Sequence, residues 1–168
     1  AGYRVVPIPG PSAAIAALAA AGAAGAAAHF AGFLPEKSTA RRKAIAALAG
    51  QTCTLVFYEA PHRVLDCVRD LAAGLGERHI VIARELTKVY ESVQRCALGE
   101  AVAWLEADAN RQRGEFVLLV SGAAPRAEES AVNADHMLKA LMAELPLAQS
   151  VKLACAITGL KRGDLLKL

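Results

Sequence analysis

Apolar positions in this 168-residue chain follow two alternating patterns. Thr54–Tyr58, His79–Ala83 and Phe116–Val120 are short runs of β-branched, aromatic and aliphatic residues. Such runs are too brief for buried helices and suit strands covered on both faces. Tyr3–Ile8 reads as an earlier strand, His29–Leu34 alternates loosely as another would, and Glu91–Leu98 fits one more. Helical spacing fills the intervals. In the helix from Ser12 to Ala21, Ile15 and Leu18 mark the expected buried face, and Gly22 and Gly25 end it. A second helix opens at Pro35-Glu36-Lys37-Ser38 and runs to about Gly50. A third starts near Pro61 and carries Val64, Leu65, Val68, Leu71, Ala72 and Leu75 on one stripe. Gly99–Ala107 is a short helix anchored by Trp104. Strands separated by helices of this length predict an α/β sheet with helices on both faces.

Beyond the polar stretch Pro125–Ser130 the pattern is helical only. Met137, Leu138, Leu141, Met142 and Leu145 form one stripe and Pro146 ends it. Leu147, Val151, Ala154 and Ile157 form a second, and Asp164-Leu165-Leu166 begins a third short helix. Two readings stay open for this tail: a helix-turn-helix-like unit for nucleic acid, or helices that pack on their own domain or a partner subunit. Without a basic recognition helix the second carries more weight.

Composition narrows the class. The chain is 55% hydrophobic, enough to bury a sizeable core, but only 5% aromatic, and alanine dominates the apolar fraction. The near-apolar run Pro11–Ala28 is alanine and glycine, without the leucine and isoleucine density of a membrane span. No membrane partner is expected. Cys53, Cys67, Cys96 and Cys155 are widely spaced with no C-x-x-C pair, so they read as buried thiols and indicate neither a disulfide framework nor a metal site. A net charge of +3 is too small to identify a polyanionic partner by itself.

Chemistry concentrates where the predicted strands end. After Tyr58 the chain turns at once to Glu59, Ala60, Pro61, His62 and Arg63, and after Ala83 to Arg84-Glu85-Leu86-Thr87-Lys88. Open α/β sheets bind ligands beyond the carboxyl ends of their strands, whereas an ordinary turn with solvated charges is the plainer reading. Pro9-Gly10-Pro11-Ser12-Ala13 turns the first strand into a helix, with Ser12 placed to cap it. In the second helix, Lys37 and Arg41 fall on the stripe that continues into Ile45 and Leu48. Cations in a first helical turn oppose the macrodipole, which points to an anionic ligand such as a phosphate. A solvated basic face is the alternative, and it suits Arg42 and Lys43 better.

Five segments together resemble one family. They are Ile8-Pro9-Gly10-Pro11-Ser12-Ala13, Phe33-Leu34-Pro35-Glu36-Lys37, Phe57-Tyr58-Glu59-Ala60-Pro61-His62-Arg63, Ala83-Arg84-Glu85-Leu86-Thr87-Lys88 and Gly114-Glu115-Phe116-Val117-Leu118. In order and spacing they are similar to the ribosomal RNA small-subunit methyltransferase I family, a branch of the tetrapyrrole methylase superfamily. Two features depart from that pattern. The family's amino-terminal domain with its glycine-rich cofactor loop has no counterpart here, so the chain reads as a fragment. Arg95-Cys96-Ala97 stands where the family usually has a Gly-Thr pair after the arginine, which weakens any role for a hydroxyl there.

The resemblance implies a tetrapyrrole-methylase carboxyl-terminal domain, a mixed sheet covered by helices, with a small helical tail. Residues 1–25 would be the last strand and helix of a truncated first domain, residues 26–124 the α/β domain, and residues 125–168 the tail. It implies S-adenosylmethionine as methyl donor, the 2′-hydroxyl of a cytidine in small-subunit ribosomal RNA as acceptor, and a cytoplasmic homodimer. The fragment alone would be inactive. Pro11, Ser12, Ala13, Ala60 and Pro61 would line the cofactor side. Lys37, Arg41, Arg63, Arg84 and Lys88 would hold RNA, and Glu59 or Glu85 would orient or deprotonate the hydroxyl. Methylation of a tetrapyrrole, or RNA binding without catalysis, are the rival readings.

Overall fold

The computed structural model describes residues 4–22, 27–124 and 137–158, together with Gly163. The chain divides into two compact units, Ala1–Ala123 and Ala124–Leu168. The first is built on a five-stranded mixed sheet of β1 (Ala28–Phe33), β2 (Thr54–Glu59), β3 (His79–Arg84), β4 (Ser92–Ala97) and β5 (Phe116–Val120), in the order β1-β2-β5-β3-β4. β1 and β2 run parallel, whereas β5 is antiparallel to both β2 and β3, and β4 closes a hairpin with β3. β1, β2 and β3 therefore all end at one edge of the sheet, where β5 begins. The loaded ends of β2 and β3 are not neighbours; β5 lies between them and brings Glu115 and Phe116 to the same edge.

One face of the sheet is covered by α2 (Ser38–Leu48), α3 (Val64–Leu75) and α4 (Ala101–Glu106). Ile45, Val64, Val68, Leu71, Leu75 and Leu105 pack there against Leu55, Phe57, Ile80, Ile82, Leu118 and Val120. The stripe expected for α3 holds, although Pro61 stands in a turn ahead of the helix and not at its first position. Trp104 is partly buried on this core and carries the Arg111 guanidinium over its ring at 4.6 Å.

The opposite face carries α1 (Ala13–Ala21), which lies on Val56, Val81, Ala83, Val117 and Leu119. Here the expected orientation is reversed. Ala14, Ala17 and Ala21 face the sheet, Leu18 is only partly buried, and Ile15 is 65% exposed. Methyl side chains let the helix backbone come close to the sheet, each contributing roughly 0.8 kcal/mol by burial. Gly22 ends the helix in the left-handed region at φ 55°, its N–H reaching the carbonyls of Ala19 and Leu18, as such caps do. Arg95 donates to the Ala21 carbonyl, a cation at the negative end of the helix. Residues 4–8, expected as a strand, pair with no other strand among the described residues, and Val5, Val6 and Ile8 are exposed.

In the second unit, residues 137–144 form α5 and Leu147–Thr158 form α6, separated at Pro146. Leu138, Val151 and Ala154 make its buried cluster, with Leu141 and Cys155 against it. Met142, Leu147 and Ile157, placed on the buried stripes by spacing, are exposed. Ser150 sits fully buried, its hydroxyl donating to the carbonyls of Leu145 and Pro146 across the turn. The helix expected at Asp164 lies outside the described residues.

Candidate functional site

A cavity of about 310 Å³ opens at the sheet edge where β2 and β3 end. Its wall is Ala13, Phe33, Tyr58, Glu59, Ala60, Pro61, Ala83, Leu86, Glu115, Phe116 and Val117. Ala13, Ala60 and Pro61, three of the five residues expected on the cofactor side, meet here. Pro11 and Ser12 are exposed in the turn that leads into α1. Volume and apolar lining match a small-molecule site with few polar groups.

The first turn of α1 is anchored from the sheet. Tyr58 uses its hydroxyl to accept the N–H of Ala14 at 3.1 Å, and Ser12 accepts that of Ile15 at 3.5 Å. Among the described residues the N–H of Ala13 has no partner, and Ala13 is the α1 residue on the cavity wall. The Tyr58 ring meets Phe30 and Phe33 edge-on, with centroids 4.9 and 5.8 Å apart. Both phenylalanines are largely exposed. Sequence reasoning passed over Tyr58 and Phe33, because nothing in a strand pattern says which side of the sheet will face a cavity.

The two carboxylates expected to act on a hydroxyl are both engaged. Glu59 is 2% exposed. Its carboxylate accepts the Ala60 N–H at 2.8 Å and approaches Arg63 at 3.3 and 3.4 Å. Cys67 lies behind it, and burial together with the Glu59 charge pushes that thiol well above its ordinary range. Glu85 accepts the Glu115 N–H at 2.7 Å and pairs with Lys88 at 3.0 Å. Those two bonds hold its carboxyl below the usual range. Glu85 and Thr87 both take positive φ, 51° and 66°, so the turn after β3 is strained. Gly114 makes room for it: a Cβ there would stand 2.4 Å from Cγ of Glu85.

The five cations assigned to RNA are placed very differently. Lys37 is exposed at the N-cap position of α2, without a side-chain capping bond. Arg41 is 5% exposed; its Nε donates to Asp70 at 2.7 Å and its Nη1 to the Glu36 carbonyl at 3.0 Å. Arg63 donates from Nη2 to the Leu34 carbonyl at 2.6 Å, while its buried Nε makes no hydrogen bond despite the nearby Glu59 charge. Arg84 spans Ser92 and the carbonyls of Asn110 and Arg113. Lys88 is half exposed and bridges Glu85 and Glu115. Asp70, buried on α3, also accepts from Arg42 at 2.7 Å. Its burial alone would raise its pKa; the Arg42 and Arg41 bonds outweigh that and hold the carboxyl below its ordinary value. No group of histidine, cysteine and acidic side chains suited to a metal ion occurs among the described residues. No helix among them is long and apolar enough to cross a membrane.

Comparison with known proteins gives this edge a family. Residues 1–102 match the family model described as tetrapyrrole (corrin/porphyrin) methylases, and residues 128–166 match one described as the RsmI C-terminal HTH domain. That second match carries the helix-turn-helix reading of the tail, the one given less weight from the sequence. The chain is 47% identical over 168 residues to a ribosomal RNA small subunit methyltransferase I of Escherichia coli O157:H7, covering 99% of this chain and 59% of that protein. The Pseudomonas aeruginosa protein of the same name is 46% identical, with 96% and 58% covered. The chain thus spans a little under three fifths of the length of these relatives. Among solved structures, a cobalamin biosynthetic enzyme, cobalt precorrin-4 methyltransferase, superposes with a TM-score of 0.52 at 17% identity, covering 68% of this chain and 50% of that one. The methyltransferase CobJ superposes with the same score at 23% identity, covering 70% and 51%. At those identities the likeness is one of fold. With its family match running through the sheet edge that carries the cavity, the chain belongs to the tetrapyrrole (corrin/porphyrin) methylase family.

Proposed function

We propose that this chain forms part of an S-adenosylmethionine-dependent methyltransferase that modifies the 2′-hydroxyl of a cytidine in small-subunit ribosomal RNA. The observation that carries the reading is the apolar cavity at the strand ends, with Ala13 at the head of α1 on its wall and the exposed cation Lys37 in the loop that follows its wall residue Phe33. Relatives named ribosomal RNA small subunit methyltransferase I support it. S-adenosylmethionine, when bound, supplies a methyl group on a sulfonium. The aromatic and alanine wall of Phe33, Tyr58, Ala13 and Ala60 suits its apolar parts. The N–H of Ala13 at the positive end of α1 suits its acceptor groups.

Bound S-adenosylmethionine would supply the methyl carbon to the ribose oxygen as its carbon–sulfur bond breaks, leaving a neutral thioether, and the hydroxyl proton would pass to water, since Glu59 and Glu85 are both already paired. Such a step depends chiefly on alignment. Glu59, committed to Ala60 and Arg63, serves in this reading to hold the Ala60-Pro61 wall. Glu85 and Lys88 fix the turn that places Leu86. Lys37 takes an RNA phosphate at the rim. A cytoplasmic homodimer completes the proposal.

The test is methyl transfer from labelled S-adenosylmethionine to small-subunit ribosomal RNA by the full-length protein, with alkaline digestion locating any resistant 2′-O-methyl linkage. Lys37→Ala should weaken RNA binding and lower its log–log salt slope by roughly 0.7–0.9, leaving cofactor affinity unchanged. Transfer to a tetrapyrrole and not to RNA would overturn the reading.

A further inference from the structure

Arg41 on α2 and Arg63 at the N-cap of α3 take hold of the same short loop. Arg63 donates to the Leu34 carbonyl at 2.6 Å, and Arg41 donates to the Glu36 carbonyl at 3.0 Å. The Glu36 carboxylate stands a further 3.8 Å from Arg63. The loop so pinned, Leu34 to Lys37, joins the cavity residue Phe33 to the cation at the head of α2. Arg41 is held in turn by Asp70 at 2.7 Å, and both side chains are nearly fully buried. An arginine so enclosed cannot reach a phosphate. Its fork does something a lysine cannot: Nε takes the carboxylate while Nη1 takes a carbonyl.

We propose that Arg41, anchored by Asp70, is a positioning residue that fixes Lys37 at the head of α2 and thereby sets the protein's contact with the RNA backbone. This rests on the RNA methyltransferase reading above. Asp70 is the part that spacing in sequence does not reveal, because it lies 29 residues beyond Arg41 on another helix. Its exclusion from water makes the pair rigid; an exposed pair would fluctuate and hold nothing.

Arg41→Lys is the informative variant, since the ammonium can still pair with Asp70 but cannot also hold the Glu36 carbonyl. A second variant, Arg41→Met with Asp70→Leu, removes the clamp without leaving a lone buried charge, and so guards against misfolding. Backbone NMR order parameters at residues 36–38 in the full-length protein read the clamp itself, and both variants should lower them from about 0.85 toward about 0.6. Binding to a transcript of small-subunit ribosomal RNA reads its purpose. Affinity should fall roughly tenfold and the salt slope by about 0.7–0.9, as for one lost phosphate contact. S-adenosylmethionine affinity should hold. Because Arg41 acts through Lys37, adding Arg41→Lys to Lys37→Ala should weaken RNA binding no further. Unchanged order parameters would overturn the clamp. Lowered order parameters with RNA affinity and salt slope intact would overturn its positioning role, as would full additivity with Lys37→Ala. Should the wild-type protein itself fail to bind the transcript, the parent reading falls, and the positioning role falls with it even where the order parameters still report the clamp.

Discussion

Replacing Tyr58 by phenylalanine removes one oxygen and little else. The ring keeps its place against Phe30 and Phe33, and the cavity keeps its wall. What disappears is the acceptor for the Ala14 N–H at 3.1 Å. Ala14 is 8% exposed, so water replaces that acceptor poorly. A net hydrogen bond contributes about 0.5–1.5 kcal/mol, and a stranded buried donor costs about 1–3 kcal/mol. The α1 start borders an open cavity, so a value of about 1–1.5 kcal/mol follows for Tyr58→Phe. Ser12→Ala is the natural comparison, because N-cap losses run about 0.5–2 kcal/mol. Here the cap bond to Ile15 is 3.5 Å long and exposed, the weak limit of such bonds, which puts its loss near 0.5 kcal/mol. The order is thus the reverse of what the capping motif alone would give. Urea unfolding followed by circular dichroism measures both, and melting should show Tyr58→Phe lower by roughly 2–5 °C. A larger loss for Ser12→Ala, or no measurable loss for Tyr58→Phe, would refute the idea that α1 is fastened from the sheet. If α1 also walls the cofactor site, S-adenosylmethionine affinity should fall with Tyr58→Phe, by less than about tenfold.

Two further outcomes follow from the same geometry. Gly114→Ala should destabilise by about 1–2 kcal/mol from its φ of 94° alone. Because the new Cβ strikes Glu85, adding Glu85→Ala should restore part of the urea midpoint. The pH profile of the urea midpoint should fall on both sides. Asp70, with a depressed folded pKa, contributes stability that is present above the unfolded carboxyl value of about 3.9 and lost as pH falls through the folded one. Cys67, with a raised folded pKa, contributes stability present below the unfolded thiol value of about 8.5 and lost as pH climbs past it. Cys67→Ala should flatten the alkaline limb while leaving the acid limb in place.

Much of this fold was legible because strong patterns are local. The β-branched runs of β2, β3 and β5 and the stripe of α3 need no knowledge of their partners. The failures share a cause as well. Ile15 outranks alanine on any hydropathy measure, yet Ala14, Ala17 and Ala21 are the α1 residues buried on Val81, Ala83 and Val117, with Leu18 only partly buried beside them, so the helix turned the other way. The burial of Arg41 was readable from its stripe, but its use was not, since Asp70 and the Glu36 carbonyl reach it only through tertiary packing. Nor could the insertion of β5 between β2 and β3 be read from strands considered singly, and that insertion is what sets Glu115 beside Glu85.

The charges at the sheet edge also change meaning once their partners are known. Counted from the sequence, Arg41, Arg63, Arg84 and Lys88 make a cationic rim. In the fold, Arg41 is matched by Asp70, Arg63 by Glu59, and Lys88 by Glu85 and Glu115, while Arg84 is spent on carbonyls and a serine hydroxyl. A buried cation matched by a carboxylate projects almost no field into solvent, since the pair is neutral at any distance larger than its own length. Field near the sheet edge therefore comes from Arg84, whose neutral acceptors leave its charge intact, and from side chains facing water: Lys37 at the head of α2, Arg42 and Lys43 on it, and Arg113 ahead of β5. Arg42 is itself partly offset by Asp70. With so few uncompensated cations, the proposed affinity for RNA would depend on where each one is held more than on how many there are. That is why a buried arginine with no access to phosphate can still govern how phosphate is met.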